Sequence, residues 1–510
     1  MKGFLNTRKG RLQALGILFV CLTILSVILA NSLIGKLAKR YSWYTSLTAS
    51  ADYGVSDECF ALLDRTLDGK TPITILFLRD QEAVVSDNTE RYLFETVSAI
   101  AERYPQISLS FCDPVENPDA LRPYTYKIDP RTGTVALDEN GEAETRTLNA
   151  NGVILLSGDY YRVYDLEEFF VFEGGDTSNV RAYAGESKLV AGILHAIKSD
   201  APLACLTNNH GETFYDFELL YLLDDAGYAV DYIDLSREDI PASCRLIVTH
   251  NPNTDFLDSD GVRASETESL GAFLSSAGNR YLAFVESGTP RLASLEAFLE
   301  TYGVTLAVSG TDDAGTSYRF SVKDDAASLT SDGYTIYGGA GCELTKDGKD
   351  GVVFKNATAI GVSSGFVNRG NGVYEKGNMT LYTLYTASGN ATAFAGGRQV
   401  GAGAFPLATY TEIALNGGNA GVGVIASTAF AEEEFLQSTV YGNRDALLRL
   451  CKLFGMGENP EGISYKPFSS TRMSLVTTRQ KFIWTICLAA LPILVLPGCA
   501  LVVLIRRRNR

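Results

Sequence analysis

The sequence predicts an α/β protein whose domains, built on mostly parallel sheets, lie outside the cytoplasm between two transmembrane helices. Three observations carry this. Residues 201–231 read as strand, polar loop, buried helix, tight stop and second strand; strand and helix go on alternating beyond them; and an uncharged run of bilayer length lies near each end of the chain. In the first of these, Ala204, Cys205 and Leu206 form the strand and Thr207 to Glu212 the loop. Thr213 with Asp216 three residues on has the pattern of a capping box, which predicts that the helix starts there. Phe214, Phe217, Leu220 and Tyr221 share one face, widened by Leu219, Leu222 and Leu223, and Gly227 sits where a helix stop turns left-handed.

The first domain is expected over residues 46–180. A helix over 56–67, with Cys59, Leu62, Leu63 and Leu67 at helical spacing, leads into a strand over 73–78. A second helix over 92–104 precedes a strand over 107–111 that stops at Cys112-Asp113-Pro114. This βαβ unit has a thioredoxin-like layout without a redox pair, and Cys112 reads as an inert strand-end residue. Residues 118–151 are rich in Pro, Asp, Thr and Gly and read as a loop with short strands; 153–156 and 160–163 straddle Gly158-Asp159 as a hairpin. A connecting helix is expected over 180–199, with His195 facing away from its apolar stripe.

The second domain, residues 181–456, is expected to be Rossmann-like, in the manner of an amidotransferase. Strands at 246–248 and 281–285 alternate with a helix capped by Ser265 and Glu268 and with another starting at Thr289-Pro290, carrying Leu292, Leu295, Phe298, Leu299 and Tyr302 on one stripe. Residues 309–420 turn to Gly, Thr, Ser, Asp and Tyr and read as a β-rich insertion. A buried strand at 422–426 and a helix from 444 to 454 are expected to rejoin the sheet, because a lone strand and helix have nowhere else to bury their apolar faces. Residues 457–480 read as a polar tether.

Residues 12–34 and 481–505 are the expected transmembrane helices, with 1–11 and 506–510 as cytoplasmic tails. The first run is longer than a signal-peptide core and is followed at once by Lys36, Lys39 and Arg40, so it reads as an uncleaved anchor. Arg506, Arg507, Arg508 and Arg510 follow the second. The tails hold 8 of the 44 Lys and Arg and none of the 60 Asp and Glu, leaving 36 against 60 between them, a net −24. A body so acidic does not neutralise a phosphate backbone, so nucleic acid is not an expected partner. The positive-inside bias puts both termini in the cytoplasm and the body outside, at the plasma membrane. Cys59, Cys112, Cys205, Cys244, Cys342 and Cys451 are scattered without a CxxC and read as isolated thiols.

The candidate ligand or partner loop is Asn209, His210, Gly211 and Glu212, at the carboxyl end of a strand where open sheets carry their sites, with His250 after a later strand. Imidazole and carboxylate two residues apart suit a polar or anionic ligand or a partner loop; the same pair suits hydrogen bonds that merely fix the turn. A two-histidine site needs the strands before His210 and His250 to be neighbours. Arg444 is a candidate partner for Glu212 if the last helix approaches the loop. No GxSxG, HExxH or Walker motif occurs, and neither Thr249-His250-Asn251 nor Glu286-Ser287-Gly288 sets a nucleophile beside a base, so no catalytic residue, metal or cofactor is expected.

PITILFLRD at 72–80, SFCDPVENPDAL at 110–121, GVILLSGDYYRV, ESKLVAGILHAI, the His210-Gly211-Glu212 loop, FPLA at 405–408, GNRDALLRLCKLF at 442–454 and the final span with its Arg tail come in an order that resembles the GldG-like family. These are membrane-anchored auxiliary components of uncharacterised ABC-type transport systems, some linked to gliding motility. Asn209 stands where the family has Gly, which would keep a left-handed backbone within reach. The resemblance implies an accessory, non-enzymatic subunit whose partners are a separate ABC permease and ATPase. The alternative is an extracytoplasmic domain that binds or hydrolyses carbohydrate or peptide around the His210-Gly211-Glu212 loop.

Overall fold

Two helix-flanked sheets, one of four strands and one of eleven, organise the chain in a computed structural model. It describes residues 54–468 except 174–175, 199–200, 214–215, 260, 307, 312–316, 347 and 349–350, and all of these fall within one unit. Both expected spans lie outside the described residues, and among the described helices none is long and apolar enough to cross a membrane.

The first sheet forms as its alternating apolar residues dictate. Helix α1 (Asp57–Thr66) starts at Ser56, whose hydroxyl accepts the Cys59 amide. Strand β1 (Ile73–Phe77), helix α2 (Glu90–Arg103) and strand β2 (Ile107–Phe111) form the expected βαβ unit, with Ile73 opposite Ile107 in a parallel register. Strand β3 (Val153–Ser157) runs antiparallel to β1, and β4 (Tyr160–Tyr164) returns from it through Gly158 at φ +58°, giving the order β2-β1-β3-β4.

The helix expected from residue 180 begins later. Strands β5 (Phe170–Glu173) and β6 (Asp176–Tyr183) pair as a hairpin, and helix α3 covers only Gly185–Ile197. Val180 to Tyr183 have the alternation of a strand, which their short length hides beside the helical pattern that follows.

The large sheet contains β7 (Leu203–Thr207), β8 (Ala229–Ile233), β9 (Cys244–His250) and β10 (Arg280–Phe284), all parallel neighbours in the order β8-β7-β9-β10. Strand β7 is buried throughout, as a central parallel strand must be, and its side chains alternate between two cores. Ala204 and Leu206 meet Leu219, Leu222 and Leu223 of α4 (Glu218–Asp225). Leu203 and Cys205 share the other core with Leu270 and Phe273 of α5 (Glu266–Phe273) and Leu295, Phe298 and Leu299 of α6 (Ala293–Thr301). Each such leucine contributes about 1.5–3 kcal/mol on leaving water.

Two helix starts are corrections to the sequence reading. Helix α4 begins at Glu218 and not at Thr213: Asp216 accepts the Glu218 and Glu433 amides and so is spent elsewhere. Its buried face is Leu219, Leu222 and Leu223, whereas Phe217 is 63 % and Tyr221 45 % exposed. Gly227, at φ +107°, ends it as expected, with its own amide on the Asp224 carbonyl and that of Tyr228 on Leu223. Helix α6 begins at Ala293, because the Thr289 hydroxyl accepts the Glu286 amide and closes a turn instead.

The sheet is mixed rather than mostly parallel. Residues expected as an insertion supply β11 (Thr335–Ala340), β12 (Val352–Lys355), β13 (Val367–Gly370), β14 (Val373–Lys376), β15 (Met379–Thr386) and β16 (Pro406–Leu415). These pair antiparallel and join the parallel half through β17 (Gly418–Ile425), which lies parallel to β10 and antiparallel to β16. The return of the chain at β17 and of helix α8 (Asn443–Leu453), after the short α7 (Glu433–Leu436), is as expected.

Ion pairs join the two sheets and their helices. Arg162 of β4 binds Asp224, Lys188 of α3 binds Asp225 at 2.9 Å, and Arg131, on an arm held by bridges such as Ile128 to Val135, binds Asp231 and Glu238 beside edge strand β8. The tether is corrected too. Ile463 is buried, Lys466–Pro467 form β18 on β6, and the Phe468 ring lies 5.0 Å from Tyr92. There the Lys466 ammonium binds the Gly54 carbonyl and Glu186, whose carboxylate also accepts from Ser56. The first and last described segments are thus clasped together.

Candidate functional site

Strands β7 and β9 are neighbours, but the chain leaves β7 towards β8 on one side and β9 towards β10 on the other. Their carboxyl ends therefore form the crevice at which α/β sheets place ligands. The loop segments 208–213 and 251–259 both rise from it.

His210 follows β7 at this end of the sheet and is 1 % exposed. Its Nδ1 lies 2.9 Å from Glu212 Oε1 and its Nε2 2.8 Å from Glu266 Oε2. Two carboxylates accept from one ring, so both nitrogens carry protons and the ring is an imidazolium. Burial, the largest single influence, opposes the charge, but the paired carboxylates outweigh it and lift the pKa to about 9. Burial likewise raises Glu212 and Glu266, yet their bonds to His210 prevail and both sit below the usual range. The ring stacks on Phe256 at 4.0 Å and 14°.

The local sequence explains how these groups meet. Ser265 and Glu268 close the expected capping box, which presents Glu266 at the first turn of α5, where a negative charge suits the helix dipole. Glu266 also accepts from the Asn209 amide at 2.6 Å and the Leu257 backbone at 2.6 Å. Glu212 reaches back to the His210 amide at 2.7 Å. The left-handed residue that permits this reversal is Gly211, at φ +66°; the φ of Asn209 is not positive, which corrects that expectation. The His210 carbonyl takes the Asn253 and Thr254 amides, and Asn253 Nδ2 binds the Gly211 carbonyl at 2.6 Å.

His250, 3 % exposed, does not join His210 in a shared site. Its Nδ1 lies 2.8 Å from the Thr213 carbonyl and its Nε2 3.1 Å from that of Thr428. Burial is the leading cause of its lowered pKa, so the ring is neutral and donates to one of the two carbonyls. Asn251 beside it holds φ +49°, donates to Thr213 Oγ1 at 2.8 Å and accepts from Thr289 Oγ1 at 3.0 Å, binding three loops in one knot.

Chemically, a ring with both nitrogens donated to carboxylates has no lone pair for a base or a metal ligand. The arrangement is a latch that ties the carboxyl-edge loops to one another, with Phe217, Leu257 and Val262 exposed on those loops. Among the described residues no group of three or more His, Cys, Asp or Glu converges as a metal site.

Other residues named from the sequence sit elsewhere. Arg444 pairs with Asp225 at 3.5 Å and binds Ser187, not Glu212. His195 is buried and bonds the Asp224 carbonyl at 2.7 Å, contrary to its expected outward position. Cys59, Cys112, Cys205, Cys244, Cys342 and Cys451 are free thiols, all buried but Cys112. Glu266 and Phe256 are the site residues that sequence reasoning missed; the capping box at Ser265 was the one signal adjacent to them. Comparison with protein-family models finds no match, and comparison with curated proteins finds none.

Proposed function

We propose that the protein is a membrane-anchored accessory subunit of an ABC-type transport or export system, of the GldG-like kind, docking through an extracytoplasmic body to a separate permease and ATPase. The body is a thioredoxin-like first part followed by a Rossmann-like, amidotransferase-like second part with added antiparallel strands. The observation that carries this reading is the clasp of Lys466 on Gly54 and Glu186. It supports two spans that leave one edge of the body together, as a pair of anchors requires, since the apolar runs at 12–34 and 481–505 lie just beyond the clasped segments. The latched loops support docking over chemistry, because their imidazole is already neutralised from both sides. A hydrolytic centre on His210 and Glu212 finds no support in that geometry. Affinity purification of the tagged full chain in mild detergent tests the proposal: co-recovery of a multi-span permease and an ATP-binding subunit is expected, and recovery of the chain alone overturns it.

A further inference from the structure

A cavity of about 240 Å³ is walled by Glu168, β5, α3, α4, the end of α7 and Tyr465. Its cations are already engaged. Lys188 Nζ is 2.9 Å from Asp225 Oδ1 and 5.3 Å above the Tyr221 ring, while Arg444 shares Asp225, binds Ser187 and stacks 5.0 Å over Tyr465. Its two free carboxylates lack a cation. Glu218 Oε1 takes only the neutral Gln437 Nε2–H at 2.6 Å, Glu168 takes the Asp165 amide at 2.9 Å, and neither carboxylate has a cation within salt-bridge distance among the described residues. Gln437 Oε1 is buried with no hydrogen-bond partner. A buried acceptor left bare, as Gln437 Oε1 is, costs about 1–3 kcal/mol, and the two carboxylates on the same wall lack a cation, so together they call for a positively charged donor.

We propose that this cavity binds a small organic cation, a primary ammonium on an apolar or aromatic frame, with Glu218 and Glu168 as counter-charges and Gln437 Oε1 as the third acceptor. An ammonium brings three N–H donors and a positive charge, which is what the acceptor set lacks. Phe172 and Tyr221 supply apolar and aromatic wall for the frame. An anion is excluded by the same two carboxylates, and a neutral alcohol satisfies one acceptor at most. The space suits a ligand on the order of ten non-hydrogen atoms, below the usual drug-sized range. The acids behave accordingly: burial lifts both, Glu218 to about 7, with Gln437 and Lys188 pulling it down and Asp216 and Asp225 pushing it up. The site is independent of the anchoring role, since it rests on the cavity alone.

Titration calorimetry of the full chain in detergent, with 2-phenylethylamine as probe and 2-phenylethanol and phenylacetate as neutral and anionic counterparts, tests the assignment. The amine is expected to bind and the other two not. Glu218→Gln is expected to weaken the amine at least tenfold and Glu168→Gln to weaken it less, while Glu167→Gln at the exposed rim leaves it unchanged. Below pH 7 binding is expected to release a proton from Glu218. Hydrogen exchange over the β7 and β9 peptides verifies that each variant is folded, and Tyr221→Ala gives a second, uncharged probe of the same wall. No heat from the amine at millimolar concentration, equal binding by Glu218→Gln, or phenylacetate binding as tightly as the amine would each overturn the proposal.

Discussion

Replacing His210 by Ala leaves Glu212 and Glu266 buried opposite each other with no cation between them. The loss follows from the titration of the ring. Its folded pKa of about 9 stands above the ordinary 6.5, a difference that corresponds to about 3 kcal/mol of stability. Because the folded value is raised, this contribution is fully present below pH 6.5 and is lost as pH rises through about 9. Removing one partner of a buried charge cluster costs a similar amount, about 3–5 kcal/mol, unless the survivors take up a proton. Amide exchange of the full chain in detergent reads this locally: Asn253 and Thr254 donate to the His210 carbonyl and Leu257 to Glu266. At pH 7 their protection is expected to fall about 100-fold in His210→Ala, relative to Leu206 in the sheet interior, since about 3 kcal/mol is about two factors of ten. Protection within twofold of the natural chain would refute the latch.

Further perturbations separate the remaining interactions. Asp225→Asn strands the buried Lys188 and leaves Arg444 only Asp445 at 3.9 Å, both cations being less than a tenth exposed, and is expected to destabilise the fold by about 3–5 kcal/mol, read as a lower urea midpoint. Arg131→Ala releases the arm from Asp231 and Glu238; at about a third exposed these pairs are worth about 1–2 kcal/mol together, and limited proteolysis should cut residues 122–148 first. Glu218 has a raised folded pKa, so its contribution is present below 4.5 and lost as pH rises through about 7; Glu218→Gln should flatten the fall of the melting temperature over that interval. Lys466→Ala should speed exchange in residues 54–59 and 466–468 while leaving β7 unchanged.

Much of the α/β order was legible because its signals are local. The continuous apolar run of β7, the capping box at Ser265 and the glycine stop at 227 each depend on residues a few positions apart. What failed depended on distant partners. Asp216 has the spacing of a capping residue, but its carboxylate is taken by the Glu433 amide, more than 200 positions away, and no local pattern reports that. The antiparallel half of the large sheet was hidden likewise, since β15 and β16 read as short alternating strands whether they stand apart or extend an existing sheet. At the candidate site the sequence supplied His210, Gly211, Glu212 and their place at a strand end. It did not supply Glu266, which reaches the ring from 56 positions on and turns a candidate ligand-binding imidazole into a held imidazolium. Lys188, Asp225 and Arg444 meet from three helices distant in the chain, which no local pattern reports.

Protease treatment of intact spheroplasts carrying the full chain with a tag at each terminus tests the anchored topology most directly. Two paired spans predict that residues 54–468 are digested, or cut at the arm over 122–148, while both terminal tags persist as small membrane-bound fragments. A body left uncut beside a digested surface control, or a terminal tag lost from intact spheroplasts, would contradict it.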